Sequence, residues 1–441
     1  MSFTLAQLLD QLAQLPPAQR YWVAYSGGCD STVLLHALAS LRQQRPLELH
    51  ALHINHNLHA ASPDWATHCR RVCESLAVPL TEIDVDARAA KGESPEAAAR
   101  AARYRIFTEV LRNGDGLLLA HHRDDQAETL LLQLLRGSGP RGLAAMPKHR
   151  PQGAGWLGRP LLDFSRQDLC RYAQAEQLQW IDDPSNFDTD FDRNFLRQEV
   201  MPQLQQRWPA ALTTLARSAE HQAEAAELLH QLAQADWQLT AGSQANTLRI
   251  ESLLRLSSER QRNVLRYWID SINNVPLPDR QRLLRILTEV IPAAADAEPC
   301  VRWPGGQVRR YAGLLYVLAA DPVSMASPMH WDLSERLELG DSRVLQVSAV
   351  SGEGLRADLD KLGTITVRFR QGGEVCRPVG RGHQHSLKNL LQEWGVPPWE
   401  RNRVPLLCVN EDIAAVVGYC ICEPYQAGNN EAGIIISEAD C

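Results

Sequence analysis

Four short apolar runs in the first 121 residues, separated by helical stretches, constrain this chain more than any other feature. Tyr21–Tyr25, Glu48–Asn55, Leu80–Asp86 and Gly116–His121 read as strands. Helical segments run between them from Thr32 to about Leu41, from Asp64 to Leu76, and from Ser94 to about Arg112. The last opens with a Ser cap, Pro95 in the first turn and Glu96 on the helix dipole. A helix from Leu5 to Leu15, closed by Pro16-Pro17, precedes them. Strands alternating with helices of these lengths predict an α/β domain with a doubly wound parallel sheet. Ligands of such sheets bind beyond the carboxyl ends of the strands. Three polar groups follow strand ends: Ser26–Ser31, the set His53, His56, Asn57 and His59, and His121–Asp125. They are expected to converge on one crevice.

The first of these groups is Ser26-Gly27-Gly28-Cys29-Asp30-Ser31. Glycines between a strand and a helix start let the backbone approach an anion closely. The helix N-terminus adds free N–H groups and partial positive charge. Ser26 and Ser31 add hydroxyl donors, and Asp30 is suited to a magnesium ion, which prefers carboxylate and phosphate oxygens. Taken alone, a Gly-Gly pair is more often an ordinary capped turn. The stretch carries no Lys, so it is not the G-x-x-x-x-G-K-[ST] loop, and it is not G-x-G-x-x-G. The S-G-G-x-D-S pattern resembles the loop of the PP-loop ATP pyrophosphatases. That resemblance implies ATP cleavage between the α- and β-phosphates and adenylation of an acceptor. Cys29 fills the variable slot.

His121–Thr129 opens the next helix, with Asp124 four and Asp125 three residues before Glu128, so both pairs share a helix face. An acidic first turn commonly just complements the dipole. At a strand end in the expected crevice, Asp125 and Glu128 become candidates to hold a metal or a substrate ammonium. Arg100, Arg103 and Arg105 lie on the preceding helix; Arg100 and Arg103, three apart, face phosphates if that helix borders the site. Ser165–Asp168 is a capping-box start. Trp180–Arg197 combines carboxylates, turn formers and the aromatics Trp180, Phe187, Phe191 and Phe195, and reads as an ordered loop packed near the site.

The pattern turns helical from Met201. Ala210–Ala235, Leu253–Ile272 and Asp279–Val290 read as helices with clustered arginines, and Trp303–Leu318 as a hairpin turning at Pro304-Gly305-Gly306. Residues 321–335 read as a linker. The expected domains are a catalytic domain over 1–205, a mainly helical one over 206–320, and a small, basic β-containing one over 336–441. Although the chain carries a net charge of −7, the segment from Arg368 to Arg403 holds seven Arg or Lys against three Glu. An acidic chain with a local basic face is compatible with RNA-backbone contacts. Arg370, Arg377, Arg381, Lys388 and Arg401 are the candidates, with Trp394 and Trp399 as stacking surfaces.

No apolar run approaches the length of a membrane span, and the N-terminus lacks a basic start, so neither a membrane protein nor a secreted one is expected. The ten cysteines form no C-x-x-C pair, which fits free thiols in a reducing cytoplasm. Cys420-Ile421-Cys422 reads as strand rather than metal site.

Taken together, these stretches resemble the bacterial tRNA(Ile)-lysidine synthases. The likeness adds His122–Thr129, Arg136–Gly139, Arg159–Leu162, Trp180–Arg197, Phe369–Gly373, Leu387–Glu393 and Val396–Arg401 to the loop, and spans nearly the whole chain. It implies a ligase that uses ATP to adenylate C2 of the wobble cytidine in the CAU anticodon of minor isoleucine tRNA. Free L-lysine then displaces AMP. Under that resemblance Ser26, Gly27, Gly28, Cys29, Asp30 and Ser31 bind ATP, Asp30 together with Mg2+. Asp125 and Glu128 take lysine or metal, and Arg100 and Arg103 stabilise charge on the α-phosphate. The family suggests a monomer or homodimer. The nearest rivals, PP-loop tRNA thiolases, would be expected to carry C-x-x-C pairs.

Overall fold

The structure, a computed structural model, describes residues 3–55, 62–86, 95–244, 246–294, 297–319, 328–340 and 343–440. His56, Asn57, His59 and Ser94 lie outside the described residues, as does most of the expected linker. The chain divides into two compact units, Met1–Leu229 and His230–Cys441.

The first unit is built on a six-stranded sheet. Its strands are β1 (Arg20–Ala24), β2 (Leu49–Asn55), β3 (Leu80–Asp84), β4 (Asp115–Leu118), β5 (His149–Gln152) and β6 (Gly155–Gly158). The spatial order is β3-β2-β1-β4-β6-β5. All neighbours pair in parallel except the β5–β6 hairpin, an antiparallel edge that the alternation pattern did not announce. Chain direction across the sheet reverses between β1 and β4, and both strands are followed by candidate site residues. That reversal is where an open α/β sheet leaves its crevice. Helices α1 (Leu5–Ala13), α2 (Cys29–Leu41), α3 (Ser62–Ser75), α4 (Pro95–Val110) and α5 (Arg123–Leu135) interleave with the strands as expected. α2 is buried along nearly its whole length, because Val33, Leu34, Leu35, Ala37, Leu38 and Leu41 sit in the core between sheet and helices. α6 (Pro140–Leu143) is a single turn, and α7 (Arg166–Ala175) starts at the Ser165–Asp168 capping box.

Among the described residues no helix is long and apolar enough to cross a membrane. The 30-residue helix Ala211–Thr240 ends in the second unit, with Asp236 fully buried and paired with Arg260. The segment read as one helix over Leu253–Ile272 is two, Ile250–Leu254 and Ser258–Asp270, because Ser257 restarts the helix. The expected single hairpin is a three-strand meander, Cys300–Trp303, Gly306–Tyr311 and Leu314–Ala319, joined on its far side by Thr247–Arg249. Its second turn, Ala312-Gly313, has both residues at positive φ (47° and 78°). Ala carries no sequence signal for that conformation. Trp268, Leu265, Ile269 and Trp303 fill the core below. The C-terminal part is antiparallel: a five-stranded sheet, a four-stranded sheet dominated by the pair Arg343–Ser351 and Ala432–Asp440, and the two-stranded ribbon Val375–Cys376 with His385–Ser386.

Candidate active site

The loop after β1 is shaped by one glycine and left open by the other. Gly27 has φ +82°, and a Cβ there would come within 2.6 Å of Ile181 Cδ1. The Gly27 carbonyl accepts from Ile181 N–H at 2.9 Å, tying the loop to the segment after α7. Gly28 is the N-cap of α2 with no side-chain cap, and the nearest atom to a Cβ there is the Ser26 hydroxyl at 3.5 Å. The first turn of α2 therefore opens onto uncrowded space, as an anion site needs. Ser26 Oγ lies 3.1 Å from Ser31 Oγ, and Ser31 donates to the Gly28 carbonyl at 3.0 Å. Cys29 turns the other way. Its Sγ is 3.8 Å from Cys170 Sγ, and burial pushes its thiol up, in keeping with a spacer role.

Asp30 joins the loop to α5. Its Oδ2 is 3.5 Å from His122 Nε2, while its Oδ1 is buried without a hydrogen-bond partner. A buried carboxylate oxygen with an open valence is costly unless a cation completes it. The donor is a hard oxygen, so Asp30 fits magnesium. The expected convergence of the Ser26 loop and His121–Asp125 is thus present. His53, of the second expected group, is not part of it: the ring lies 2.9 Å from the Tyr25 carbonyl and 3.6 Å from Cys69 Sγ, a core contact.

α5 begins in a one-sided cap: Asp125 Oδ2 accepts from His122 N–H at 2.9 Å, while Asp125 N lies 3.4 Å from His122 Nδ1, which in the charged ring has no lone pair to accept. Burial disfavours charge on His122, but Asp125, Asp30 and Asp124 outweigh it and lift the imidazole to about 9. The preceding His121 goes the opposite way: burial drives it to about 3, and Arg159, Arg193 and Arg103 add to that. One ring is therefore an imidazolium among carboxylates. Its neighbour is neutral among guanidiniums.

Asp125 and Glu128 share a helix face as the spacing required, and both are buried. They do not stand alone. Arg193 bonds Asp125 Oδ1 at 2.8 Å and Glu128 Oε2 at 2.9 Å; Arg197 bonds Asp125 Oδ1 at 2.9 Å and Glu128 Oε1 at 2.7 Å. Burial works against ionised Asp125, yet His122 and the arginines hold it well below the usual carboxylate range. Both arginines are raised, desolvation being outweighed by the carboxylates. With Asp30 and Asp124, four carboxylates face His122, Arg193 and Arg197, leaving one negative charge in excess. The cluster can therefore attract a further cation.

Sequence reading passed over Arg193 and Arg197, although their four-residue spacing puts them on one helix face as the three-residue spacing does Asp125 and Glu128. They sit where the 180–197 segment becomes helical, at Asp192–Phe195, followed by a π-helical turn Leu196–Val200. That segment meets the site through arginines rather than aromatics: Phe187 and Phe195 are exposed, at 70% and 47%. Arg159 was also not singled out as a site residue. It is buried after β6, donates from Nε to His121 Nδ1 at 3.3 Å, and holds the Pro147 carbonyl at 2.7 Å. Arg100 and Arg150 lie on the Tyr104 ring, at 5.1 and 4.9 Å from its centroid. Arg103 acts on His121 and Arg100 on Arg159, which bonds His121, so both arginines of α4 border one basic cluster.

In the second unit the basic candidates are held by nearby acceptors. Arg381 forms a two-pronged pair with Glu393 at 2.5 and 3.0 Å, and Arg377 pairs with Glu423 at 3.0 Å. Arg370 bonds Asn402, and Arg401 the Val396 carbonyl. Lys388 stands exposed on the helix Leu387–Glu393. The two tryptophans are engaged by the fold: Trp394 stacks on Tyr419 at 5.3 Å, and Trp399 packs edge-on against Tyr316 at 5.0 Å with Arg309 over its ring.

Residues 1–204 match the family model of a PP-loop domain, residues 248–316 that of a TilS substrate binding domain, and residues 365–438 that of a TilS substrate C-terminal domain. The chain is 46% identical over 433 residues to a protein of Coxiella burnetii named tRNA(Ile)-lysidine synthase, covering 98% of this chain and 96% of that one. A protein of the same name from Methylococcus capsulatus is 44% identical, over 92% of this chain and 93% of its own. Among solved structures, a U34-tRNA thiolase from Methanococcus maripaludis aligns at 18% identity and TM-score 0.43, over 50% of this chain and 78% of that one.

Proposed function

The chain belongs to the tRNA(Ile)-lysidine synthase family, and from that premise we propose that it ligates free lysine to C2 of the wobble cytidine in the CAU anticodon of minor isoleucine tRNA. ATP activates the base as an adenylate, pyrophosphate leaves, and the lysine ε-amine displaces AMP. The observation that carries this reading is the junction of the Ser26–Ser31 loop with the α5 carboxylates through Asp30 and His122. One crevice then serves both the nucleotide and an ammonium-bearing substrate.

The open N-terminus of α2, with the Ser26 and Ser31 hydroxyls, cradles the phosphates. Asp30 would hold magnesium through its unpartnered oxygen, and the ion would neutralise phosphate charge there. Arg103 and Arg159 lie on the guanidinium-rich side, beside neutral His121, and balance charge on the α-phosphate during adenylation. The one negative charge in excess belongs to the cluster as a whole, with Asp30 and Asp124 counted beside Asp125 and Glu128, and it draws the lysine ammonium to their edge. A nucleophilic amine must lose its proton. Asp125 is too weak a base to take it, being held ionised by three cations, so it anchors, and a phosphate oxygen accepts the proton. The basic C-terminal residues contact the tRNA backbone. A tRNA substrate places the protein in the cytoplasm.

The test combines purified protein, ATP, labelled lysine and a transcript of minor isoleucine tRNA. Label is expected in the tRNA, with loss of at least about 100-fold in rate for Asp30→Ala. An intact folded protein that transfers no lysine to a correct transcript would overturn the proposal.

A further inference from the structure

Two neighbouring thiols and a third from far earlier in the sequence meet in the C-terminal part of the second unit. The Sγ atoms of Cys376, Cys420 and Cys422 all lie within 4.8 Å of one another. Cys420 and Cys422 are two residues apart on an extended segment, so the pleat turns both to one face and Ile421 to the other. Cys376 arrives from the ribbon Val375–Cys376, whose partner is His385–Ser386. Below them is a small apolar core that includes Leu387, Leu390, Val416 and Ile413. Cys376 and Cys422 are buried, while Cys420 is half-buried and gives a way in from solvent. All three are free thiols.

We propose that Cys376, Cys420 and Cys422 form a binding site for a thiophilic d10 metal ion, zinc in the first instance. Tetrahedral zinc holds sulfur at about 2.3 Å, which places its sulfur ligands about 3.8 Å apart. The three thiols are within about an ångström of that spacing before any ion is bound. Three soft donors select zinc or copper(I) over magnesium or calcium. Among the described residues no fourth protein ligand joins the group, so solvent completes the shell. Each metal–sulfur bond replaces an S–H bond, and the proton goes to solvent.

The site has a task in the fold. Immediately after Cys376 comes the strap that carries Arg377 and Arg381. It is laced to the Cys420 segment by Val379 N–H to the Ile421 carbonyl at 3.0 Å and Glu423 N–H to the Arg377 carbonyl at 2.8 Å. A metal bridging Cys376 to Cys420 and Cys422 clasps both sides of that lacing and fixes the strap's basic side chains.

The test is titration of the reduced full-length chain with cobalt(II), a coloured substitute for zinc, followed by zinc competition. The expected result is about one cobalt per chain with an intense thiolate-to-cobalt charge-transfer band, bleached by stoichiometric zinc. Zinc is also expected to slow proteolysis between Gly380 and Gly382. Cys420→Ser, the mildest of the three replacements because this thiol is only half-buried, should weaken cobalt binding at least about 100-fold, while Cys300→Ser leaves the band intact. Absence of the band in folded, reduced wild-type protein would overturn the proposal. So would a band that survives in Cys420→Ser, or a thiol count showing that two of the three are joined as a disulfide in protein purified without oxidant.

Discussion

At the start of α5, Asp125 and Glu128 are 7% and 1% exposed and are held between Arg193 and Arg197. In the Arg368–Arg403 segment, Arg381 meets Glu393 and Arg377 meets Glu423 with side chains a third to a half open to water. Both regions are dense in ion pairs, but burial gives the pairs different work. A buried charge must be matched at every site, because removing one partner leaves the other desolvated and alone. A surface pair is screened and exchanges readily with solvent or another polyanion. The first region is consequently a rigid, nearly balanced knot with one charge left for a ligand. The second is a set of cations parked on local acceptors, from which a phosphate backbone can take them.

The sharpest way to break this contrast is Glu128→Ala. It leaves two half-buried guanidiniums sharing Asp125 alone and should cost about 3 kcal/mol in denaturant unfolding. A loss under about 1 kcal/mol would mean that the knot behaves like a surface pair. Next in size is the pH dependence of His122. Its folded value, about 9, lies above the ordinary 6.5. The stabilisation is therefore complete below pH 6.5 and is lost as pH rises through about 9, on the order of 3 kcal/mol in all. Unfolding curves of wild type should fall across that window, and those of His122→Gln should run flatter; parallel curves would remove His122 from the knot's charge balance. The smallest stability effect is expected at Arg381. Arg381→Ala should leave the melting temperature unmoved, weaken tRNA binding, and reduce the slope of log affinity against log salt by about one. An unchanged salt slope would show that Arg381 stays with Glu393 when tRNA binds.

Much of the catalytic unit was legible in advance because its signals are local. Strand and helix periods, the Ser26–Ser31 spacing and the Ser165 capping box each depend on a few neighbouring residues. The three-residue offset of Asp125 and Glu128 likewise fixed that they share a face. Their partners could not be read this way: Arg193 and Arg197 lie 65 to 72 residues on, and only the packing of the Asp192–Val200 helix against α5 brings them in. The same limit applies to Arg159. Position on α4 put Arg100 and Arg103 together, but not the Tyr104 ring under Arg100 or the Arg159–His121 pair that both arginines border. Trp394 and Trp399 read as open stacking surfaces because composition does not show that Tyr419, Tyr311 and Tyr316 would cover them. Cys420-Ile421-Cys422 was rightly read as strand, but the strand reading and a metal site are not exclusive once Cys376 folds over it.

By itself the sequence determined a doubly wound domain with a Gly-rich turn before its second helix, acids at a later strand end, and a basic C-terminal segment. These follow from backbone periodicity and short-range capping, which act within a few residues. Tertiary structure alone decided which charges neutralise one another, because pairing over tens of residues depends on where the chain returns. It gave Asp30 a histidine on one oxygen and nothing on the other. It turned the α5 carboxylates from free ligands into half of a buried knot, since in a low-dielectric interior every charge must find its counterpart.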